Sequence, residues 1–157
     1  MKQQIGSTPD IIERAHAIRY EVFVDEQQIP LELDLDGKDQ RSIHALLTDG
    51  ENLVATARLT VDVNQQATLA RVAVTKPYRG RGIASDVVTL MMNYAQEHGV
   101  QAVSIHAHEY LRTFYEGFGF DFVSDSEQVG EHRLIEMKCT LNQEAVSACL
   151  TPYLGKS

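Results

Sequence analysis

The sequence predicts a mixed α/β domain, a mostly antiparallel sheet flanked by helices. Three observations lead there. Apolar residues recur at spacings of three and four over 11–23 and again over 83–94, the period of a helix with one buried face. Between 42 and 74 they recur in parts every second place, in three segments separated by polar turns, which describes an antiparallel meander. The apolar run 69–74 then enters a Gly/Arg turn and a helical segment, and a further apolar run follows at 102–107. That strand–helix–strand order implies a parallel pair with a right-handed crossover.

The elements follow in order. Residues 3–5 suit an edge strand. Pro9 and Asp10 open a helix, since Pro9 lacks only an N–H that a first helical turn leaves unpaired. Ile11, Ile12, Ala15, Ile18, Val22 and Phe23 give that helix its apolar face, with an end expected near Glu26. Residues 27–37 contain Pro30 and alternate leucines with acids, which reads as a loop or a short helical turn. Strands are expected over 42–47, 53–63 and 67–74, with turns at 48–52 and 64–66. Pro77 and Gly80 stop the third strand. A helix over 83–98 carries Ile83, Val87, Leu90, Met91 and Tyr94 on one side and ends at Gly99. A buried strand over 102–107, a short helix over 111–116, a strand from 118, a polar turn over 125–131 and a final strand over 133–141 complete the expectation. Residues 142–157 read as a closing helix or a tail. No repeat, low-complexity run or linker divides the sequence, so one domain over 1–157 is expected, with its core at about 10–141.

Composition narrows the function classes. A chain of 157 residues with 43% hydrophobic and 23% charged residues is ordinary for a globular protein and long enough to bury a sizeable core. No run approaches a membrane span, and no leader pattern opens the chain, so a cytoplasmic location is expected. Two cysteines, Cys139 and Cys149, do not make a disulfide framework. The net charge of −8 disfavours nucleic acid or an anionic membrane as main partner, and the absence of tryptophan argues against a stacking platform for nucleic acid, so neither partner is expected. Basic residues nevertheless concentrate at 76–81, which holds three of the fourteen, while acids crowd 32–39. A basic patch for a phosphorylated ligand beside acidic surroundings for a cationic one fits that asymmetry.

Arg79-Gly80-Arg81-Gly82-Ile83-Ala84 is the most informative stretch. A strand, a turn and a helix in this order expose consecutive backbone N–H groups and the positive end of a helix dipole, which together hold phosphate. Glycines at 80 and 82 permit a tight bend and close approach of a ligand. Arg71 stands on the opposite side of its strand from Val72 and Val74, where a long cation needs an anion, water or a ligand. Phe114-Tyr115-Glu116-Gly117-Phe118-Gly119-Phe120 is a second dense segment, whose phenol reads either as a core ring or as a proton donor. His106 and His108 share a strand face, yet no third or fourth ligand stands nearby, and no metal is expected.

These residues resemble the GCN5-related N-acetyltransferase (GNAT) superfamily over roughly 11–141. Arg79, Gly82 and Ala84 match its Q/R-x-x-G-x-G/A signature. Residues 18–27, with Pro30, Glu32, Asp34, Asp36 and His44 after them, are similar to the small bacterial ElaA/YjcF-like branch, as is Ala70-Arg71-Val72-Ala73-Val74 except at the first position. The resemblance implies a sheet splayed at a V-shaped opening and acetyl-CoA as co-substrate. The pyrophosphate would lie on Arg79, Gly80, Arg81, Gly82, Ile83 and Ala84, with pantetheine paired to Val72, Ala73 and Val74. Tyr115 falls at the usual general-acid position and also lines the cofactor arm. Seven residues earlier, His108 replaces a customary asparagine.

The expected reaction is direct attack by a primary amine of a small molecule on the thioester. Glu26 is the first candidate base and His44 the second. Arg19, Glu26, Asp34, Asp36, His44 and Arg71 are the candidate acceptor contacts, the acids for a cationic amine or the arginines for a phosphorylated amino sugar. A peptide or protein amine is the alternative acceptor, and an acyl-CoA sensor without efficient turnover is the alternative function. A monomer or homodimer is expected.

Overall fold

The computed structural model describes residues 1–129 and 132–141, so the expectation for 142–157 lies outside the described residues. The chain divides into two compact units, one formed by Met1–Thr60 with Thr68–Asn93, the other by Val61–Ala67 with the residues from Tyr94 onward.

The first unit holds β1 (Lys2–Gly6), α1 (Pro9–Arg19), a π-helical continuation (Tyr20–Glu26), α2 (Leu31–Asp34), β2 (Ile43–Asp49), most of β3 (Asn52–Val61) and β4 (Gln66–Val74), and most of α3 (Ile83–Glu97). Its strands lie in the order β1-β2-β3-β4. β1 runs antiparallel to β2 from Lys2↔Thr48 to Gly6↔His44, and β2 antiparallel to β3 from Ile43↔Leu59 to Asp49↔Asn52. Thr8 caps α1, its hydroxyl accepting from the Ile11 N–H at 3.3 Å, with Pro9 in the first turn. The apolar face foreseen for this helix packs as Ile11, Ile18 and Val22 against Leu46 and Ala73, with Phe23 and Leu53 alongside. Each such aliphatic side chain contributes about 1.5–3 kcal/mol on full burial. The widened turn that follows, where the Gln27 N–H reaches the Val22 carbonyl at 3.2 Å, keeps Val22 inside and brings Glu26 to the surface.

The second unit is built on β5 (Ala102–His108), α4 (Arg112–Glu116), β6 (Asp121–Val129) and β7 (His132–Thr140), in the strand order β5-β7-β6. Both pairings are antiparallel, and the register sets Val103 opposite Cys139, Ile105 opposite Met137 and Ala107 opposite Ile135, all buried. Two expectations are corrected here. The last but one strand begins at Asp121 rather than near 118, because the N–H groups of Phe118, Gly119 and Phe120 turn back to Tyr115 and Glu116 carbonyls and close α4. It also continues through residues expected to be a polar turn. Residues 124–128 are almost wholly exposed and their pairing with β7 is irregular, so backbone hydrogen bonds hold this strand without the apolar alternation that would reveal it. No helix among the described residues is long and apolar enough to cross a membrane.

Candidate functional site

In the first unit the β4–α3 turn presents an open cradle. Gly80 and Gly82 have φ of +78° and +76°, the left-handed region that side chains rarely enter, and a Cβ at either would meet nothing within 4 Å. The Gly82 carbonyl accepts the Asp86 N–H at 3.2 Å, so Gly82 heads α3 and the amides after it have no partner within the helix. Ile83 is buried and anchors the helix, while Arg79, Gly80, Arg81 and Gly82 are exposed and Ala84 half-buried. Free donors, a helix dipole and empty space above two glycines suit a phosphate group.

Arg79 is engaged within the chain. Its two terminal nitrogens donate to the two Glu26 carboxylate oxygens at 2.8 Å each, and its Nε donates to the Val74 carbonyl at 2.9 Å. The Arg79 guanidinium lowers the proton affinity of Glu26 from its ordinary value, with a smaller contribution from the charge of Lys76. Glu26 is therefore a weaker base than a free glutamate. The turn is braced from the other side, where the Tyr78 hydroxyl donates to Asp49 at 3.0 Å and the Arg81 guanidinium lies 5.3 Å from the Tyr78 ring centre. A groove of about 530 Å³ beside it is lined by Glu21, Asp49, Glu51, Asn52, Leu53, Thr75, Pro77, Tyr78 and Arg81, three acids against one arginine.

The remaining acceptor candidates assemble into an ion network. Arg19, with no exposed surface, donates Nε to both Asp34 oxygens at 3.2 and 3.1 Å and a terminal nitrogen to Asp39 at 2.8 Å. Arg58 forks onto Asp36 at 2.8 Å twice and reaches Asp39 at 3.2 Å. His16 meets the other Asp39 oxygen at 2.7 Å. Burial opposes ionisation of Asp36 and Asp39, but the Arg58 and Arg19 hydrogen bonds outweigh it, leaving Asp36 at about 2 and Asp39 well below the usual carboxylate range. His44 is wholly buried opposite Arg58, donating Nε2–H to the Asp39 carbonyl at 2.9 Å, and burial lowers its pKa so that it stays neutral. The expected substrate contacts of Arg19, Asp34 and His44 thus meet side chains with almost no surface.

Arg71 closes this loop from β4. Its φ of +57° breaks the extended course of the strand, an uncommon conformation for a side chain with a Cβ. The guanidinium reaches the Leu33 and Asp34 carbonyls at 3.3 and 3.1 Å and the Asp34 and Asp36 carboxylates at 3.0 and 3.4 Å. Ala73 is buried against α1, while Val72 and Val74 are half-buried. Sequence reasoning missed Arg58 and His16 and gave Asp39 no site role. A signal was present for Arg58, a cation inside the apolar run 53–59 that must have buried anions to meet it.

In the second unit Tyr115 is 6% exposed, its ring edge-on to Phe114 and Phe120 with centroids 5.0 and 5.8 Å away. Burial pushes its phenol up to about 12, so it holds its proton at neutral pH. His108, half-buried at the end of β5, stacks on the exposed Tyr110 at 5.1 Å. Among the described residues no three His, Cys, Asp or Glu side chains are grouped to hold a metal ion.

Comparison with known proteins bears on the family and the fold. The family model described as an acetyltransferase (GNAT) domain matches residues 12–141, which takes in residues of both units. The uncharacterized N-acetyltransferase YjcF of Bacillus subtilis is 28% identical over 127 residues, 81% of this chain and 90% of that protein. The crystal structure of Escherichia coli ElaA superposes with a TM-score of 0.79 at 26% identity, covering 88% of this chain and 98% of that one. An acyl-CoA N-acyltransferase from Pseudomonas aeruginosa shares the fold, with a TM-score of 0.81 at 23% identity and coverage of 88% and 99%. The chain therefore belongs to the GNAT acetyltransferase family, in its ElaA/YjcF-like branch.

Proposed function

We propose that the whole chain is one acetyltransferase domain that moves the acetyl group of acetyl-CoA to a primary amine of a small molecule in the cytoplasm. The observation that carries this reading is the β4–α3 turn, where two left-handed glycines leave open space beside unpaired helix amides. Gly80, Arg81, Gly82, Ile83 and Ala84 would hold the pyrophosphate through their backbone, with Arg79 adding charge. Val72, Ala73 and Val74 would pair with the pantetheine amides, and His108 would take the place of the asparagine customary along that arm.

Acetyl-CoA supplies an activated thioester, and a neutral amine attacks its carbonyl carbon. The new C–N bond forms as the C–S bond breaks, and the sulfur takes a proton from the Tyr115 phenol. A phenol kept protonated by burial is in the state that this role requires, though as a weaker acid than an exposed tyrosine. Glu26, at the surface beside the turn, is the candidate to receive the proton that the amine nitrogen loses. Three acids along the groove beside the turn favour a cationic amine over a phosphorylated amino sugar. The experiment is free-thiol release from acetyl-CoA across polyamines, amino acids, phosphorylated amino sugars and peptides. Turnover with cationic amines is expected. Tight acetyl-CoA binding without turnover on any of them would make the chain an acyl-CoA sensor instead.

A further inference from the structure

Arg79 cannot keep its present partner and grip a pyrophosphate with the same fork. The two terminal nitrogens that would make parallel hydrogen bonds to phosphate oxygens are the two that hold Glu26, both at 2.8 Å. The pair is open to exchange, because the Arg79 and Glu26 side chains are 42% and 31% exposed and a bond between such groups is worth little in water. The buried arginines of the same unit have no such freedom: the side chains of Arg19 and Arg58 are 1% and 5% exposed, each with a carboxylate.

Resting on the cofactor site proposed above, we infer that the Glu26–Arg79 pair is a built-in exchange, in which an arriving pyrophosphate displaces an internal carboxylate from the guanidinium. In the free protein Glu26 occupies the guanidinium as an internal anion. When a pyrophosphate arrives, Arg79 turns its fork to the phosphate oxygens and Glu26 is released. The freed carboxylate no longer carries the Arg79 hydrogen bonds that hold its proton affinity down, and it can meet a cationic amine. The carboxylate that Arg79 holds in the free protein is thus available to an acceptor once the fork has turned to phosphate.

The test is calorimetric binding of CoA to four proteins, wild type, Glu26→Gln, Arg79→Ala and the double variant, each shown to be folded by circular dichroism. Removing the internal anion should tighten CoA binding by roughly two- to fivefold in the wild-type background. It should change nothing in the Arg79→Ala background, where there is no fork to release. An equal gain in both backgrounds would mean that Glu26 acts only as a nearby negative charge, and the exchange is overturned. No gain in either background overturns it as well. If wild type does not bind CoA at all, the proposed cofactor site is wrong and the exchange falls with it, an outcome that the other two cannot imitate.

Discussion

In the first unit arginine meets carboxylate around Asp39 and again at the β4–α3 turn, with opposite consequences. Around Asp39 the arginines are largely enclosed, hold carboxylates through several hydrogen bonds, and are joined to backbone carbonyls of the α2 loop. At the β4–α3 turn the pair lies in water, on the rim of an open glycine cradle. The enclosed set fixes a loop and a strand kink; the open pair remains exchangeable. Residue type alone separates neither case, since both are made of arginine facing Asp or Glu. Exposure decides which charges can respond to a ligand.

The largest expected effect comes from opening the enclosed set. Arg19→Ala leaves Asp34 and Asp39 short of a partner in the interior, a change that typically costs about 3–5 kcal/mol. Urea unfolding should register that loss, whereas Arg79→Ala should shift stability by less than about 1 kcal/mol. Acid probes the same set. Folding lowers Asp36 from 3.8 to about 2, and Asp39 further, so between those values the unfolded chain binds more protons. Stability is full above the unfolded values and is lost as pH falls from about 4 toward 2. His44 adds an earlier decline that begins below 6.5, because burial keeps it neutral in the fold while the unfolded imidazole takes a proton. A stable Arg19→Ala protein that has lost CoA affinity would reverse the comparison and make the enclosed set a ligand site.

Tyr115 could break the comparison, being enclosed and yet assigned chemistry. Tyr115→Phe keeps the ring contacts with Phe114 and Phe120 and deletes only the donor. Loss of a general acid costs about 10²–10⁴-fold, and a thiolate leaves more readily than most groups, so a fall in kcat of roughly 10–100-fold with little change in KM is expected. With a pKa near 12, Tyr115 should also impose no alkaline limb below about pH 11. Unchanged kcat under rate-limiting chemistry would return Tyr115 to a packing role.

What could be read in advance follows the same division. The β4–α3 turn was legible because it is local: strand, glycines, arginines and helix stand in sequence order within about twenty residues. The apolar faces of α1 and α3 were legible from period alone. The ion network was not, since it depends on register: His44 and Arg58 become neighbours only when β2 pairs with β3. Asp34 and Asp36 sit in a run that reads as a solvated acidic surface, and nothing in the letters says that three arginines converge on it. The left-handed Arg71 left no trace either, because glycine, the usual sign of such a backbone, is absent there. β6 was shortened for lack of an apolar side.

A smaller effect should follow from filling the open cradle. Gly82→Ala places a methyl where no atom lies within 4 Å, at a φ of +76°, so the protein bears only the strain of a left-handed alanine, about 1 kcal/mol. The methyl would occupy space proposed for the pyrophosphate, and the Kd for CoA should rise roughly tenfold, about 1.4 kcal/mol. Unaltered affinity in a folded Gly82→Ala protein would move the phosphate site elsewhere and leave the turn merely a surface bend.

Salt gives the smallest contrast and the one that addresses exposure directly. The Debye length shrinks from about 10 Å at 0.1 M to 3 Å at 1 M, which screens charges in water and hardly reaches those in the interior. Arg79 must also give up Glu26 to serve a phosphate, so its net contribution to CoA binding is small even at low salt. Arg79→Ala should therefore weaken CoA by roughly two- to threefold at 0.1 M, and the difference from wild type should close at 1 M. Over the same range the stability deficit of Arg19→Ala should hardly move, because its lost contacts are buried. Should the Arg79 deficit persist at 1 M, the pyrophosphate and Arg79 would be shielded from water in the complex. The turn would then close over its ligand and join the enclosed class once the cofactor is bound.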